Sequence, residues 1–387
     1  MYFSTKCLSI LLGLVALSSA EIKTPSKKML RDFDTFARYA AFGYCKELVD
    51  GLDVNGKTKV CTNNREIPNG CGELEDAVVV TEFPNDEGVS GYIAVNSKTQ
   101  QIIVSFRGSG SWKDVQTNLR TCKTRSGRGL WEAVAGFAEQ AKNELGKITR
   151  NTIISIVESA CSLVEESKPD PNDRLLPFCQ DCGVHQGFFE GFKGIKDKML
   201  AAVEEQKKLH PIFEVKVTGY SLGAAVATLA AAYIRKSTLN VDLYTFGSPR
   251  VGDEKFATFV SSQGLGENFR ITNENDPIAN VPWADAGFAH VEPEYWFPEG
   301  IAAEKMEVCK GVNSLQCSGQ FDLKLSDIAL GRDRMKPHLW QSYAVGFLFT
   351  GGMSCPSRSG RELDLDEKAP FTQEEITEMK RLADQSN

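Results

Sequence analysis

The stretch Val215-Lys-Val-Thr-Gly-Tyr-Ser-Leu-Gly-Ala-Ala225 decides the fold of this chain. It contains the pattern Gly-x-Ser-x-Gly with Ser221 at its centre. Apolar and polar residues alternate before it, over residues 213–218, with the period of a strand. Small, helix-forming residues follow it over residues 224–234. A serine between a strand and a helix is typical of a nucleophile elbow, where the hydroxyl projects from the end of a sheet.

Two glycines flank the serine at the positions where such a turn is most crowded. Gly219 and Gly223 carry no side chain, so they remove the clash that a tight strand-to-helix turn would otherwise create. The helix that follows points free N–H groups at the serine, and these groups favour negative charge there. The alternative interpretation is an ordinary strand-to-helix turn that uses glycines only for their backbone.

Size and charge limit the possible classes of protein. The chain has 387 residues, of which 42% are hydrophobic, so it can bury the core of one large α/β domain or two smaller ones. The formal net charge of −7 argues against a nucleic acid partner.

The first twenty residues have the pattern of a signal peptide. Lys6 precedes an apolar run over residues 8–17, which is too short to span a bilayer, and small residues follow at 18–20. We therefore expect a secreted, extracellular protein that begins at Glu21 and has no transmembrane segment. The alternative is a buried N-terminal helix. The pair Lys27-Lys28 predicts either a second processing site or a solvated pair of charges.

The cysteine content indicates an oxidising compartment. Of the eleven cysteines, Cys7 lies in the predicted signal peptide and ten remain, an even number that suits disulfides. The alternative is a zinc site at Cys179-Gln-Asp-Cys182, but the chain has no second pair with that spacing.

Hydrophobic periodicity predicts alternating strands and helices. Helices are expected over residues 32–44 and 185–206, and strands over 77–82, 91–95, 101–106, 241–246 and 269–272, with a hairpin turn at 96–99. A short amphipathic helix over 111–119 carries Trp112 and Val115 on its apolar stripe, and two further helical stripes lie within 129–164. Residues 278–340 are expected to be mostly irregular. This alternation predicts a mainly parallel sheet with helices on both faces.

An elbow serine needs a base and an orienting acid, which follow it in the order acid, then histidine. Two histidines follow Ser221, His290 and His338, whereas His185 and His210 precede it. Asp276 lies in a polar loop directly after a predicted strand, where a carboxylate can reach the carboxyl edge of the sheet. The rival acids are Asp242, Asp253 and Asp285.

Several blocks of sequence, taken together, resemble the class 3 lipase family of fungi, which includes secreted lipases and feruloyl esterases. Besides the elbow, these blocks are Tyr39-Ala-Ala-Phe-Gly-Tyr-Cys45, Val104-Ser-Phe-Arg-Gly-Ser109, Cys179-Gln-Asp-Cys-Gly-Val-His-Gln-Gly-Phe188, Tyr244-Thr-Phe-Gly-Ser-Pro-Arg-Val-Gly252, Asn275-Asp-Pro277, His290-Val-Glu-Pro-Glu-Tyr-Trp296 and His338-Leu-Trp340. The resemblance implies an α/β-hydrolase fold over residues 21–355.

The resemblance also implies the roles of individual residues. It implies a catalytic triad of Ser221, Asp276 and His338, with His290 as a structural residue near the site. The oxyanion hole would consist of the N–H groups of Ser109 and Leu222. Residues 110–120 occupy the position of the family's lid, where Trp112 and Val115 would contact substrate. No metal or organic cofactor is implied.

The chain departs from the family at four places, one of which is Ile278-Ala279 after Pro277, where valine and proline are usual. Residues 122–179 form a longer insertion, and a charged tail at 356–387 has no counterpart. Tyr220 replaces the histidine that often precedes the nucleophile, and we expect this change to affect packing and not the chemistry.

The resemblance suggests disulfide pairs as well. Cys45 would pair with Cys355, Cys61 with Cys71, Cys179 with Cys182, and Cys309 with Cys317. Cys122 and Cys161 are left over and would form a fifth bond within the insertion.

The expected activity is hydrolysis of triacylglycerol at an oil–water interface, through an acyl-enzyme on Ser221. One alternative is a feruloyl esterase or another carboxylesterase for soluble esters, a branch that the Cys309 to Cys317 loop resembles. A second alternative is an inactive lipid-binding homologue, against which the intact Ser221, Asp276 and His338 argue.

Overall fold

A nine-stranded sheet forms the centre of the protein. The computed structural model describes residues 21–45, 48, 58–61, 71–83, 89–108, 176–282, 284–303, 305–312, 314–321, 336–338 and 340–343. The strands are β1 (Glu21–Lys23), β2 (Ala77–Phe83), β3 (Gly91–Asn96), β4 (Gln101–Phe106), β5 (Glu214–Tyr220), β6 (Val241–Phe246), β7 (Asn268–Asn273), β8 (Glu294–Phe297) and β9 (Met306–Cys309).

The five central strands of the sheet are parallel. The strand order is β1-β9-β8-β7-β6-β5-β4-β3-β2. All pairings from β4 to β8 are parallel, and the two outer strands on each side pair antiparallel. Because parallel strands expose their carboxyl ends at one edge, the residues that follow β4, β5, β6 and β7 come together there.

Five helices lie among the described residues. They are α1 (Lys27–Phe42), α2 (Gln186–Leu209), α3 (Leu222–Lys236), α4 (Glu254–Ser262) and α5 (Trp340–Tyr343). Apolar residues of α2, α3 and α4 share one core cluster with one face of the sheet, and those of α1 share a second cluster with the opposite face. The predicted α/β-hydrolase architecture, with helices on both faces, is confirmed.

Strand β5 shows how the sequence pattern produces these two faces. Val215 and Val217 point into the cluster with α3, because successive side chains of a strand point to opposite faces. Thr218 points the other way, and its hydroxyl donates to the Phe36 carbonyl of α1 at 2.9 Å. Tyr220 continues this second row and lies in the cluster with α1.

Most predicted elements are present with slightly different ends, but several elements were not predicted. Two of them, the short strands β8 and β9, lie within residues 278–340, which were expected to be mostly irregular, and they complete one side of the sheet. Helix α4 was not predicted, although Asp253 caps it by accepting from the Phe256 N–H at 2.9 Å. The first helix begins at Lys27, so the dibasic pair lies in its first turn, where Lys28 contacts Asp32 at 2.7 Å.

Other predicted segments lie outside the described residues. These are the signal peptide at 1–20, the helix at 111–119, the stripes within 129–164 and the tail at 356–387. Among the described residues, no helix has the length and apolar character needed to cross a bilayer.

Three predicted disulfides are present in the described part of the chain. Cys61 is bonded to Cys71, Cys179 to Cys182, and Cys309 to Cys317. Cys45 is also disulfide-bonded. Its predicted partner Cys355, and the predicted pair of Cys122 and Cys161, lie outside the described residues.

His185 caps helix α2 from a fully buried position. Its Nδ1 accepts from the Phe188 N–H at 3.4 Å, and the two rings stack with centroids 4.1 Å apart. Burial lowers the pKa of His185 to about 3, so this imidazole stays neutral in the folded protein at any pH near neutrality.

This buried histidine should make the fold sensitive to mild acid. In the unfolded chain its pKa returns to about 6.5, so below that pH the unfolded chain binds a proton that the folded protein does not. The free energy of unfolding should therefore fall with falling pH, by up to about 1.4 kcal/mol per pH unit from this residue. We expect His185→Asn, which keeps a capping oxygen, to reduce that slope between about pH 6 and pH 5 in urea unfolding. Equal slopes in the two proteins would contradict this account.

Candidate active site

Ser221 lies at the sharp turn between β5 and α3. Its backbone has φ 56° and ψ −125°, a region that side-chain-bearing residues rarely occupy. The Ser221 N–H donates to the Phe246 carbonyl at the end of β6, at 2.9 Å. The turn is thus fixed to the neighbouring strand, and it directs the serine hydroxyl to the carboxyl edge of the sheet.

The two flanking glycines allow the chain to approach itself closely at this turn. A Cβ on Gly219 would overlap the carbonyl oxygen of Gly223, well inside van der Waals contact. A Cβ on Gly223 would overlap the carbonyl oxygens of Phe106 and Arg107, where β4 ends. The glycines therefore permit the turn, as predicted, and also the packing of α3 against the end of β4, which was not predicted.

Ser221, His338 and Asp276 form a continuous chain of hydrogen bonds. His338 Nε2 lies 2.9 Å from Ser221 Oγ, and His338 Nδ1 lies 2.8 Å from Asp276 Oδ2. The carboxylate accepts from Nδ1–H, which leaves Nε2 as the acceptor for the serine hydroxyl. All three side chains are buried, with Ser221 3% exposed. The structure thus brings together the three residues that the resemblance selected.

Asp276 is a fully buried carboxylate whose oxygens are all hydrogen-bonded. Its Oδ1 accepts from the Ile278 N–H at 2.8 Å, and Oδ2 accepts from Tyr343 Oη at 2.5 Å as well as from His338. Pro277 has no N–H, so Ile278 is the first residue after Asp276 whose backbone can donate back. Burying a charge without such partners would be costly, and these three donors offset that cost.

Tyr343 was not identified from the sequence. Besides donating to Asp276, its hydroxyl accepts from the Asn273 N–H at 3.2 Å. Burial raises the pKa of Tyr343 well above its ordinary value, so the hydroxyl keeps its proton and remains a donor. No local pattern in the sequence marks this contact, because Asp276 lies 67 residues away along the chain.

Two buried basic side chains hold the loop that follows Asp276. His290 Nε2 lies 2.6 Å from the Ala279 carbonyl, and Arg250 Nη1 donates to the carbonyls of Asn280 and Pro282 at 2.6 and 2.9 Å. Burial, assisted by nearby arginines, lowers the pKa of His290 well below its ordinary value, so it is a neutral donor. His290 therefore lies against the acid loop, whereas His338 contacts the serine.

The rival acids are placed elsewhere. Asp242 accepts from Lys216 Nζ at 2.5 Å, near the start of β6 and therefore at the opposite edge of the sheet. Asp253 caps α4 and also accepts from the Gly183 N–H at 2.7 Å. Asp285 lies in a short turn, Ala284–Ala286. Its side chain is not among the described ones.

Of the predicted oxyanion hole, the structure describes Leu222 and the chain as far as Gly108. Leu222 is the first residue of α3, where N–H groups have no intrahelical acceptor. Gly108 lies so close that a Cβ on it would be 3.1 Å from Ser221 Cβ. Ser109, Trp112 and Val115, which complete the predicted hole and lid, lie outside the described residues.

The fold and this arrangement together define an α/β-hydrolase with a serine at its nucleophile elbow. A hydroxyl that donates to an imidazole, which in turn donates to a buried carboxylate, can give up its proton as it attacks an electrophilic carbon. Comparison with known proteins agrees with this fold and points to one family within it. Residues 103–286 match the family described as Lipase (class 3). This match agrees with the resemblance to class 3 lipases that the sequence carries.

Two relatives from fungi illustrate this similarity. A secreted mono- and diacylglycerol lipase of Fusarium solani is 32% identical over 253 residues, which cover 64% of this chain and 61% of that protein. The secreted mono- and diacylglycerol lipase A of Penicillium cyclopium is 29% identical over 302 residues, or 75% of this chain and 80% of that protein.

Solved structures agree in fold. The crystal structure of a mono- and diacylglycerol lipase from Aspergillus oryzae superposes with a TM-score of 0.57 and 22% sequence identity. The superposition covers 83% of this chain and 100% of that one.

Gly247, at the end of β6, offers a test of how tightly the histidine and the carboxylate are packed. Its φ is +55°, and a Cβ there would lie 2.8 Å from Asp276 Oδ2 and 2.9 Å from His338 Nδ1. We expect Gly247→Ala to displace this pair and lower kcat by about 100-fold, since displacements near 1 Å have effects of that order. Turnover of a soluble ester per folded molecule would measure the effect.

Gly264→Ala is the matched control for this prediction. Gly264 has a similar φ of +66°, but the nearest atom to its added Cβ is the Ser262 carbonyl oxygen at 4.0 Å. Both variants therefore bear the backbone strain of an alanine at positive φ, and only the first disturbs the pair. Similar losses of kcat in the two variants would refute the packing argument.

Proposed function

We propose that this protein is a secreted lipase that hydrolyses the carboxylic ester bonds of acylglycerols. The observation that carries the proposal is the hydrogen-bonded chain from Ser221 through His338 to Asp276 at the nucleophile elbow. The reaction follows from the acid–base properties of these three side chains, with no metal or organic cofactor in any step.

In the first half of the reaction, Ser221 Oγ attacks the ester carbonyl carbon. The hydroxyl proton passes to His338 Nε2, which lies 2.9 Å from Oγ, and the carbonyl oxygen becomes an oxyanion. The C–O bond to the alcohol then breaks, and His338 delivers the proton to the departing alcohol oxygen. The acyl group remains on Ser221 as an ester.

In the second half, water takes the place of the alcohol. His338 accepts a proton from a water molecule as its oxygen attacks the acyl-enzyme carbonyl, and it returns that proton to Ser221 when the carboxylic acid leaves. In both halves Asp276 holds the Nδ1–H tautomer and stabilises the imidazolium that forms. Its three donors keep this buried carboxylate in place throughout.

The oxyanion would be stabilised by two backbone N–H groups. We assign this role to Leu222 at the start of α3, with Ser109, which follows β4 in the chain, as the second donor. The position of Gly108 against Ser221 Cβ supports this assignment, because it brings the chain that leads to Ser109 beside the nucleophile. Loss of one such donor typically costs about 3 kcal/mol of transition-state stabilisation.

The choice of a lipid substrate rests on the relatives, which are named mono- and diacylglycerol lipases. We propose triacylglycerol and partial acylglycerols as substrates, and an oil–water interface as the place of reaction. Ser221 is only 3% exposed, so a substrate reaches it only after neighbouring groups move. The proposed lid at 110–120, with Trp112 and Val115 as its contacts to lipid, would supply this movement at an interface.

A soluble ester, such as a feruloyl ester, is the second candidate substrate. The Cys309–Cys317 bond closes a loop between β9 and a short turn at Cys317–Gln320, and this bridge is the feature that the sequence shares with the esterase branch. Such an enzyme would need no interface.

One set of rate measurements separates these candidates. We expect turnover of emulsified tri-, di- and monoacylglycerols, with a rise in rate as each substrate exceeds its solubility and forms an interface. A soluble short-chain ester and a feruloyl ester would be assayed beside them, with Ser221→Ala as the blank. An organophosphate should label the wild type at Ser221 and leave the blank unlabelled.

Two other results would each contradict a different part of the proposal. Turnover of the soluble esters without any on the emulsions would contradict the lipase proposal and retain the triad. Absence of organophosphate labelling in a folded wild type would sink the serine hydrolase mechanism, and would leave the inactive lipid-binding homologue as the better interpretation.

A further inference from the structure

Tyr220 occupies the position immediately before Ser221, at the last residue of β5. Side chains alternate along a strand, so Tyr220 points to the same face of the sheet as Thr218, toward α1 and α5. His338 and Tyr343 belong to the segment that lies on this face. The residue before the nucleophile is therefore directed at the segment that carries the histidine.

The hydroxyl and the ring of Tyr220 both contact His338. Tyr220 Oη donates a short hydrogen bond to the His338 backbone carbonyl. The tyrosine ring stacks on the imidazole, with centroids 5.1 Å apart and planes inclined by 25°. The preceding carbonyl, of Pro337, accepts from Asn273 Nδ2 at 3.2 Å. Two successive carbonyls of the histidine segment are thus held by side chains from the ends of β5 and β7.

We propose that Tyr220 is a positioning residue that sets the distance between Ser221 Oγ and His338 Nε2. This inference rests on the proposed function, because that distance matters only if His338 takes the serine proton. It also replaces the expectation from sequence that a tyrosine here affects packing and not the chemistry.

The physical basis is the covalent link between Tyr220 and Ser221. The nucleophile and the residue that holds the base are consecutive, so a shift of the elbow moves both together. Without the hydroxyl, the relative position of Ser221 and His338 would depend on two segments that are 117 residues apart in sequence. Proton transfer requires hydrogen-bond distance between the two atoms, so a looser histidine spends less time in reactive geometry.

The hydroxyl of Tyr220 stays protonated over the pH range in which the enzyme works. Burial raises the pKa of Tyr220 well above its ordinary value, so the hydroxyl remains a hydrogen-bond donor to the His338 carbonyl throughout that range. A buried carbonyl that lost this donor would be left unsatisfied. The bond therefore has a stability component as well, and the test must separate stability from positioning.

The test compares Tyr220→Phe with Tyr92→Phe. Tyr92 on β3 is also a buried tyrosine whose hydroxyl donates to a backbone carbonyl, that of Tyr39 at 2.7 Å, and it contacts no member of the triad. Both variants lose a buried hydroxyl that donates to a backbone carbonyl. The Tyr39 carbonyl keeps a second donor, Ser105 Oγ at 2.8 Å, so we expect Tyr92→Phe to lower the melting temperature no more than Tyr220→Phe does. Only Tyr220→Phe should lower kcat on a soluble short-chain ester, by about 10-fold with KM unchanged.

Organophosphate labelling supplies the second readout. The final labelled fraction reports how much protein is folded, and the rate constant reports the reactivity of Ser221. We expect Tyr220→Phe to reach the wild-type fraction at a rate constant lowered about as much as kcat. A reduced fraction at the wild-type rate constant, or equal rate constants in Tyr220→Phe and Tyr92→Phe, would overturn the positioning role. Failure of the wild type to label would instead reject the proposed function itself.

Discussion

Steric crowding at the elbow is the constraint on which the rest of the site depends. Ser221 has a positive φ, and on either side the chain approaches itself so closely that only glycine fits at positions 219 and 223. The lack of a side chain at Gly223 also lets α3 pack against the end of β4. One local requirement therefore fixes the direction of the serine hydroxyl and the placement of the helix whose N-terminus faces it.

The histidine and the carboxylate come from segments that are distant in sequence, and the sheet brings them to the elbow. Asp276 follows β7, two strands away from β5, so the parallel order of β5, β6 and β7 places its loop at the same edge as Ser221. The loop is then fixed by buried groups outside the hydrogen-bonded chain of Ser221, His338 and Asp276. His290 and Arg250 bind its carbonyls, and Asn280 Nδ2 donates to the Ser318 carbonyl at 3.1 Å, beside the Cys309–Cys317 bond.

The sequence predicted those features that have a local signature. The alternating residues of β5, the glycines beside Ser221 and the polar turn after β7 each combine pattern and chemistry within a few residues. Strands β8 and β9 have four residues each, which is too short for a clear period, so they were missed. The hydroxyl contacts of Tyr220 and Tyr343 join residues 118 and 67 positions apart, and no local pattern encodes them. The disulfide pairs came from the family resemblance, because cysteine spacing alone leaves the connectivity open.

The strands at the two borders of the sheet affect how readily copies of this protein associate at high concentration. An unpaired strand edge invites another chain to add a strand, which is a common route to aggregation. On one side the sheet ends in β1, which has three residues and covers β9. On the other side residues near Lys59 bridge to β2, through Val60 and Ala77 among others. The strand β1 and the segment that bridges to the start of β2 each carry a lysine, Lys23 or Lys59, whose charge disfavours further pairing. At these two places the sheet therefore offers little template for association between copies, even where many molecules gather in a small volume.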